Sequence, residues 1–449
     1  MLNKFIWLIW GAGSLSLAAY YIYQFEWSED KSPLLIGETS HGHHQIELAC
    51  STCHTEPFGG PEILHTACLN CHSQELTLAD DSHPRKKFTD PRNADRVAIL
   101  DARYCVTCHS EHKRQNTLAM GLTIPSDYCF QCHQNIDEDR PSHAGMGFDT
   151  CASSGCHNYH DNRALYEDFL VQHANEPKLL IGGKLPTLLF ENQPKQFAHQ
   201  LPSPGITYNL PADAPLEHLK EPFVGEWQTS THARKDVNCS DCHQPKNSAW
   251  INKPGISECK ICHEFQVQGF TSGKHGMRLS EQLSSTLGPI TPAKTSRLDF
   301  HKDSLNKEQN CQACHNSHQY DTQFAAVDAC LTCHNDEHSR AFKQSPHFQL
   351  FQLEVNEQIE FGHGVSCASC HLPRETHTKN GVDIVNVQHN QNGNLRPNEK
   401  MIRSVCMNCH GLGFSIDALA DSELVRNNFS GSPSVHIQSI DMAIQREKQ

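Results

Sequence analysis

The chain has 449 residues, 37% of them hydrophobic, a mean hydropathy of −0.56 and a formal net charge of −14. Such acidity argues against a nucleic-acid partner, since phosphate backbones are bound by neutralising them with Lys and Arg. With 22 cysteines and 32 histidines against so modest an apolar content, an ordinary apolar core is not expected either.

The first element is apolar. Residues 5–25, from Phe5 to Phe25, reach the roughly 20 residues that a bilayer-spanning helix needs. Lys4 precedes the stretch, and Glu26, Glu29 and Asp30 follow it, so positive-inside bias leaves the rest of the chain outside the cytoplasm. Tyr20, Tyr21, Tyr23 and Trp27 are suited to an interfacial belt. Residues 1–30 are expected to be an uncleaved anchor on the periplasmic face of a bacterial inner membrane. The alternative, cleavage near Ser16-Leu17-Ala18, gives a soluble periplasmic protein but a very aromatic new terminus.

From residue 41 the sequence repeats one unit, a cysteine pair followed at once by histidine. Ten copies read Cys-x-x-Cys-His: Cys50, Cys53, His54; Cys68, Cys71, His72; Cys105, Cys108, His109; Cys129, Cys132, His133; Cys239, Cys242, His243; Cys259, Cys262, His263; Cys311, Cys314, His315; Cys330, Cys333, His334; Cys367, Cys370, His371; and Cys406, Cys409, His410. The eleventh, Cys151, Cys156 and His157, has four residues between its cysteines. This is the attachment signal for c-type haem. Two thiols must add to two vinyl groups while one imidazole reaches the iron, and residues at i, i+3 and i+4 share one side of a helical turn. In the widened unit, Ala-Ser-Ser-Gly loops out the extra residues, glycine tolerating strained backbone. Zinc or disulfides compete at a single Cys-x-x-Cys, but disulfides leave the histidines unexplained. The expected cofactor is haem c, eleven groups.

Beyond the eleven proximal histidines, 21 remain, enough to give every iron a second imidazole. Two imidazoles suit electron transfer, and seven methionines could not serve most sites. The distal candidates recur at set offsets from a unit or in similar surroundings: His43, His65, His83, His112, His143, His160, His232, His275, His301, His318, His338, His347 and His363. His199, His218, His377, His389 and His436 are read as surface residues.

The units fall into two clusters, giving an expected pentahaem domain at 41–174 and a hexahaem domain with a C-terminal helix at 226–449. The proline-rich stretch 175–225 between them reads as a linker, preceded by a short helix within residues 161–173. Short tethers between Cys50 and Cys68, and between Cys311 and Cys330, favour close packing of consecutive sites. With porphyrins as the core, the expected fold is mainly α with extensive irregular loops and little β.

These residues resemble the multihaem cytochrome c superfamily. Cys311 to His318 through Cys330 to His338 looks like its doubled motif, and the front half is similar to small trihaem and tetrahaem cytochromes. The back half, including Gly364 to Arg374, resembles the hydroxylamine oxidoreductase and octahaem reductase lineage. That lineage holds enzymes and carriers. Its nitrite reductases usually carry Cys-x-x-Cys-Lys at the open haem, and this chain has none. Its hydroxylamine oxidoreductases use a tyrosine beyond the last unit, and none follows Tyr320. The expectation is an electron conduit between a quinol-oxidising membrane protein or another cytochrome and a periplasmic redox partner. The alternative is an oxidoreductase of small nitrogen or sulfur species (nitrite, hydroxylamine, tetrathionate, sulfite) at one open haem, with His389, Arg374 or Arg403 as proton donor or anion clamp.

Overall fold

The computed structural model describes all residues except 1, 29, 58, 82, 141–142, 149–150, 152–157, 162–166, 188–210, 220–221, 296–298, 320, 380–381, 396–399 and 449. Cys156, His157, about half of the proline-rich stretch and part of the helix expected at 161–173 therefore lie outside the described residues. The fold is mainly α: many short helices and turns are joined by irregular loops, and the one named sheet is a two-stranded hairpin. Two compact units are present, residues 1–134 with 147–152, and residues 135–146 with 153–449.

In the first unit, α1 (Leu2–Glu26) is apolar and exposed along its length. It is long and apolar enough to cross a membrane, a property that an anchor and an export signal share. Its C-terminal carbonyls, at Gln24 and Phe25, accept from Lys31 Nζ at 2.7 and 2.6 Å, a cation placed at the negative end of the helix. The longest helix after it, α2 (Pro61–Leu78), starts on a proline, whose missing N–H is no loss at a helix start. α2 carries the whole second Cys-Cys-His unit.

In the second unit a small apolar core lies beside the last attachment site. Leu170 of α3 (Glu167–Gln172), Ile402, Leu412, Ile440 and Ala443 are buried together, with Phe169, Met407, Ile416 and Leu419 packed on them. Leu412 opens α6 (Leu412–Ala420), and Ile440 and Ala443 lie on α7 (Ser439–Glu447). Residues 176–180 strap this corner: Leu180 N donates to Cys409 O (2.9 Å) and Leu412 N to Glu176 Oε2 (3.0 Å). Leu185 N likewise donates to Gly362 O (2.8 Å), so the described start of the proline-rich stretch is built into this unit.

The hairpin pairs β1 (Arg374–Lys379) with β2 (Val382–Val387), Arg374 opposite Val387 and Lys379 opposite Val382. Its end is fixed against α4 (Glu264–Ser272), whose glycine face allows close approach. A Cβ on Gly269 would sit 3.0 Å from the His389 amide, and one on Gly273 3.1 Å from the His389 carbonyl. α5 (Pro346–Val355) is capped by the Ser345 hydroxyl and carries His347 in its first turn.

Candidate metal centres

Each described Cys-Cys-His unit is folded by local hydrogen bonds. The histidine amide donates to the carbonyl of the first cysteine for His54, His109, His133, His263, His315, His334 and His410, at 2.8–3.0 Å. This closes the single helical turn that the spacing demands. Three units are capped by the residue before the first cysteine: Asn238, Asn310 and Ser366 accept from backbone amides of the turn. Each such cap supplies an acceptor to an orphan donor. The described cysteines are free thiols.

Opposite nine of these histidines stands a second imidazole. Ring centres are separated by 6.3 Å for His54 with His112, 5.9 Å for His72 with His43, and 6.0 Å for His133 with His83. In the second unit the separations are 6.0 Å for His243 with His318, 6.2 Å for His263 with His232, and 6.3 Å for His315 with His389. The last three are 6.2 Å for His334 with His275, 6.1 Å for His371 with His338, and 6.2 Å for His410 with His347. Two imidazoles on opposite sides of one metal, each with a bond near 2.0 Å, would put ring centres about 6.3 Å apart. That is too far for direct contact between rings and fits a six-coordinate haem iron. Among the described residues, no three His, Cys, Asp or Glu side chains converge as a metal site of their own, which does not suit structural zinc.

The rings are also held in one tautomer. Nδ1–H donates to a backbone carbonyl in His109 (Gly121, 3.0 Å), His243 (Ile251, 2.7 Å), His410 (Lys178, 3.0 Å), His112 (Gly37, 2.9 Å), His338 (Val425, 2.5 Å) and His389 (Val387, 2.9 Å). That leaves Nε2 as the free donor to a metal. One pair differs: His43 Nδ1 meets Glu111 Oε1 at 2.7 Å, and His72 Nδ1 meets Glu75 Oε2 at 2.9 Å. Burial would raise the Glu111 carboxyl, but hydrogen bonds from His43 and from the Ser40 amide and hydroxyl bring it down to about 2. His112, next in sequence, has φ +62°, a conformation that costs a non-glycine residue on the order of 1 kcal/mol.

In the second unit burial dominates. It pushes His275, His315, His347 and His371 down to about 4, with the opposite imidazole adding to the effect. The neutral imidazole so favoured is the form that binds metal.

Neighbouring units meet through their thiols. First cysteines face first cysteines at Cys68 with Cys105, Cys129 with Cys151, Cys259 with Cys311, and Cys330 with Cys367. Second cysteines are neighbours at Cys53 with Cys71 and at Cys370 with Cys409, while Cys242 faces both cysteines of the next unit and Cys314 does the same. Tyr128 lies between Cys108 and Cys129. The described stations therefore neighbour one another in sequence order within each compact unit.

Of the distal candidates, His43, His83, His112, His232, His275, His318, His338 and His347 stand opposite a proximal histidine. Among the described residues His65, His301 and His363 face no second imidazole. His65 lies on α2 with Cys68 and Cys71, its Nδ1 3.2 Å from Cys105 Sγ. His301 N donates to Cys333 O at 2.9 Å. His143 N donates to Arg140 O at 2.8 Å, and His160 stands edge-on to Tyr159, 4.9 Å between centres. His389, read from the sequence as a surface residue, is brought opposite His315 by the hairpin. Arg374 lies over the Phe361 ring (4.8 Å) and donates to Pro186 O (3.1 Å), and Arg403 lies over Phe169 (3.8 Å).

Residues 42–134, about a fifth of the chain, match a family described as cytochrome c3. The matched stretch holds the first four Cys-x-x-Cys-His units. No curated protein and no solved structure matches the chain.

Proposed function

Since the chain is a multihaem cytochrome c, a protein of electron transfer with covalently held haem, we propose that it carries eleven haems and works as an electron conduit. The nine imidazole pairs at 5.9–6.3 Å carry this reading. Haem iron supplies a one-electron couple when bound. The chain's own residues do the rest. The thiols would hold each group covalently, the paired imidazoles would hold its iron, and the Nδ1 hydrogen bonds keep those rings in one tautomer. Iron held by two imidazoles would be suited to electron transfer. The contact of successive units supports a row of closely spaced stations in each compact unit.

The conduit would sit on the periplasmic face of a bacterial inner membrane, held by α1, or be free in the periplasm after cleavage. Its donor would be a quinol-oxidising membrane protein or another cytochrome, and its acceptor a periplasmic redox protein. The acidic chain favours partners with basic docking patches. Intact mass of the exported protein should show eleven haems, and electron paramagnetic resonance of the oxidised protein should show low-spin iron. A high-spin ferric signal that moves with nitrite, hydroxylamine or sulfite would overturn the carrier reading in favour of an oxidoreductase.

A further inference from the structure

We propose that Glu111 and Glu75 lower the reduction potential of the site between His43 and His72. The inference rests on the reading of these imidazoles as axial ligands. Both rings of this pair give their Nδ1 proton to a carboxylate, at 2.7 and 2.9 Å. By contrast, His112, His243, His338, His389 and His410 give theirs to backbone carbonyls, and His334 Nδ1 stands 4.0 Å from Asp336. An ionised acceptor draws the Nδ1 proton further than an amide carbonyl does. The ring gains imidazolate character, Nε2 becomes a stronger donor, and ferric iron is stabilised over ferrous iron. The two carboxylate charges act in the same direction.

The arrangement is built on both sides. Glu111 is held by the Ser40 amide at 2.6 Å and the Ser40 hydroxyl at 2.8 Å. Glu75 lies one turn after His72 on α2. Glu111 is the more buried of the two, with 29% of its side chain exposed against 49% for Glu75, so water screens it less and its effect should be the larger. The tuned site lies second in its row, its thiols next to Cys53 of the first unit and Cys105 of the third. Glu111 and Glu75 act through the imidazoles and are positioning residues.

The test is a potentiometric titration of the full haem-loaded protein, wild type against Glu111→Gln, Glu75→Gln and the double variant. Glu62→Gln, an exposed partner of Arg85, controls for loss of one negative charge. Glu111→Gln should raise one midpoint by about 59 mV, a tenfold change in the oxidised-to-reduced ratio. Glu75→Gln should raise it less, and the double variant more than either, with every iron still low-spin. A titration in which no midpoint moves, or none moves more than in Glu62→Gln, would overturn the proposal. His43→Ala tests the underlying pairing separately: a new high-spin signal upholds it, and an unchanged spectrum removes both the pairing and the inference. Glu75 is half exposed, so its variant keeps the test open if Glu111→Gln loads haem poorly.

Discussion

The two compact units place paired imidazoles at the same spacing by different means. In the first, the pairs are held from outside: carboxylates on His43 and His72, and a left-handed backbone at His112 that aims its ring at His54. In the second, burial holds the imidazoles neutral at His275, His315, His347 and His371. There, turns are capped at Asn238, Asn310 and Ser366, and an apolar cluster closes the end of the chain. Where little chain surrounds each group, charge and strain orient the ligands. Where the chain can bury them, packing does.

The widest effect should come from breaking a pair that packing created. His389→Ala removes the imidazole opposite His315, and one iron should change from low-spin to high-spin, read by electron paramagnetic resonance. His363→Ala, at a position the sequence favoured over His389, should leave the spin count unchanged. Equal effects from both, or from neither, would remove the reading of His389 as a ligand. The unaltered protein offers a related check, since imidazole planes cross at 6° for His243 and His318 but at 88° for His338 and His371. Parallel planes give rhombic low-spin signals and perpendicular planes give strongly anisotropic ones, so both types should appear in one spectrum.

The second unit's apolar cluster comes next. Leu412 is fully buried, and Leu412→Ala should destabilise the second unit by about 2–5 kcal/mol, measured by thermal unfolding. Haem absorbance of the stations in the first unit should stay as it was. A cap is worth less: Asn310→Ala, removing the acceptor for the Ala313 amide, should cost about 1 kcal/mol.

Much of this was legible in the sequence, because attachment is local. A turn of i, i+3 and i+4 needs no tertiary context, so all ten regular units could be read directly, as could the apolar α1 and the scarcity of strands. Distal ligands come from elsewhere in the chain. Offsets recovered those that follow a proximal histidine closely, such as His112, His318 and His338, whose short tethers limit where they can go. They failed for His65, which shares α2 with the thiols of its own unit and so faces the same side. They failed for His389 in the other direction. It reaches His315 only because β1 and β2 pair antiparallel and Gly269 of α4, with Gly273 just past its end, admits its backbone. A Gly-x-x-x-Gly spacing at Gly269 and Gly273, with Gln-His-Asn far downstream, gives no hint of that meeting until the hairpin is known.

The smallest expected effect separates the same two modes by pH. Asp421 accepts from the Glu423 and Leu424 amides and from the Ser434 amide and hydroxyl. Hydrogen bonds from the Ser434 and Leu424 amides hold its carboxyl down at about 2, below its ordinary 3.8. A carboxylate with a lowered folded-state value adds stability that is fully present above the unfolded value and is lost as pH falls through the folded one. Asp421→Asn should therefore lower the unfolding temperature of the second unit at neutral pH, and the gap from wild type should close between about pH 4 and pH 2. A gap that persists unchanged at pH 2 would mean that Asp421 acts by shape and not by charge, leaving the second unit held by packing alone.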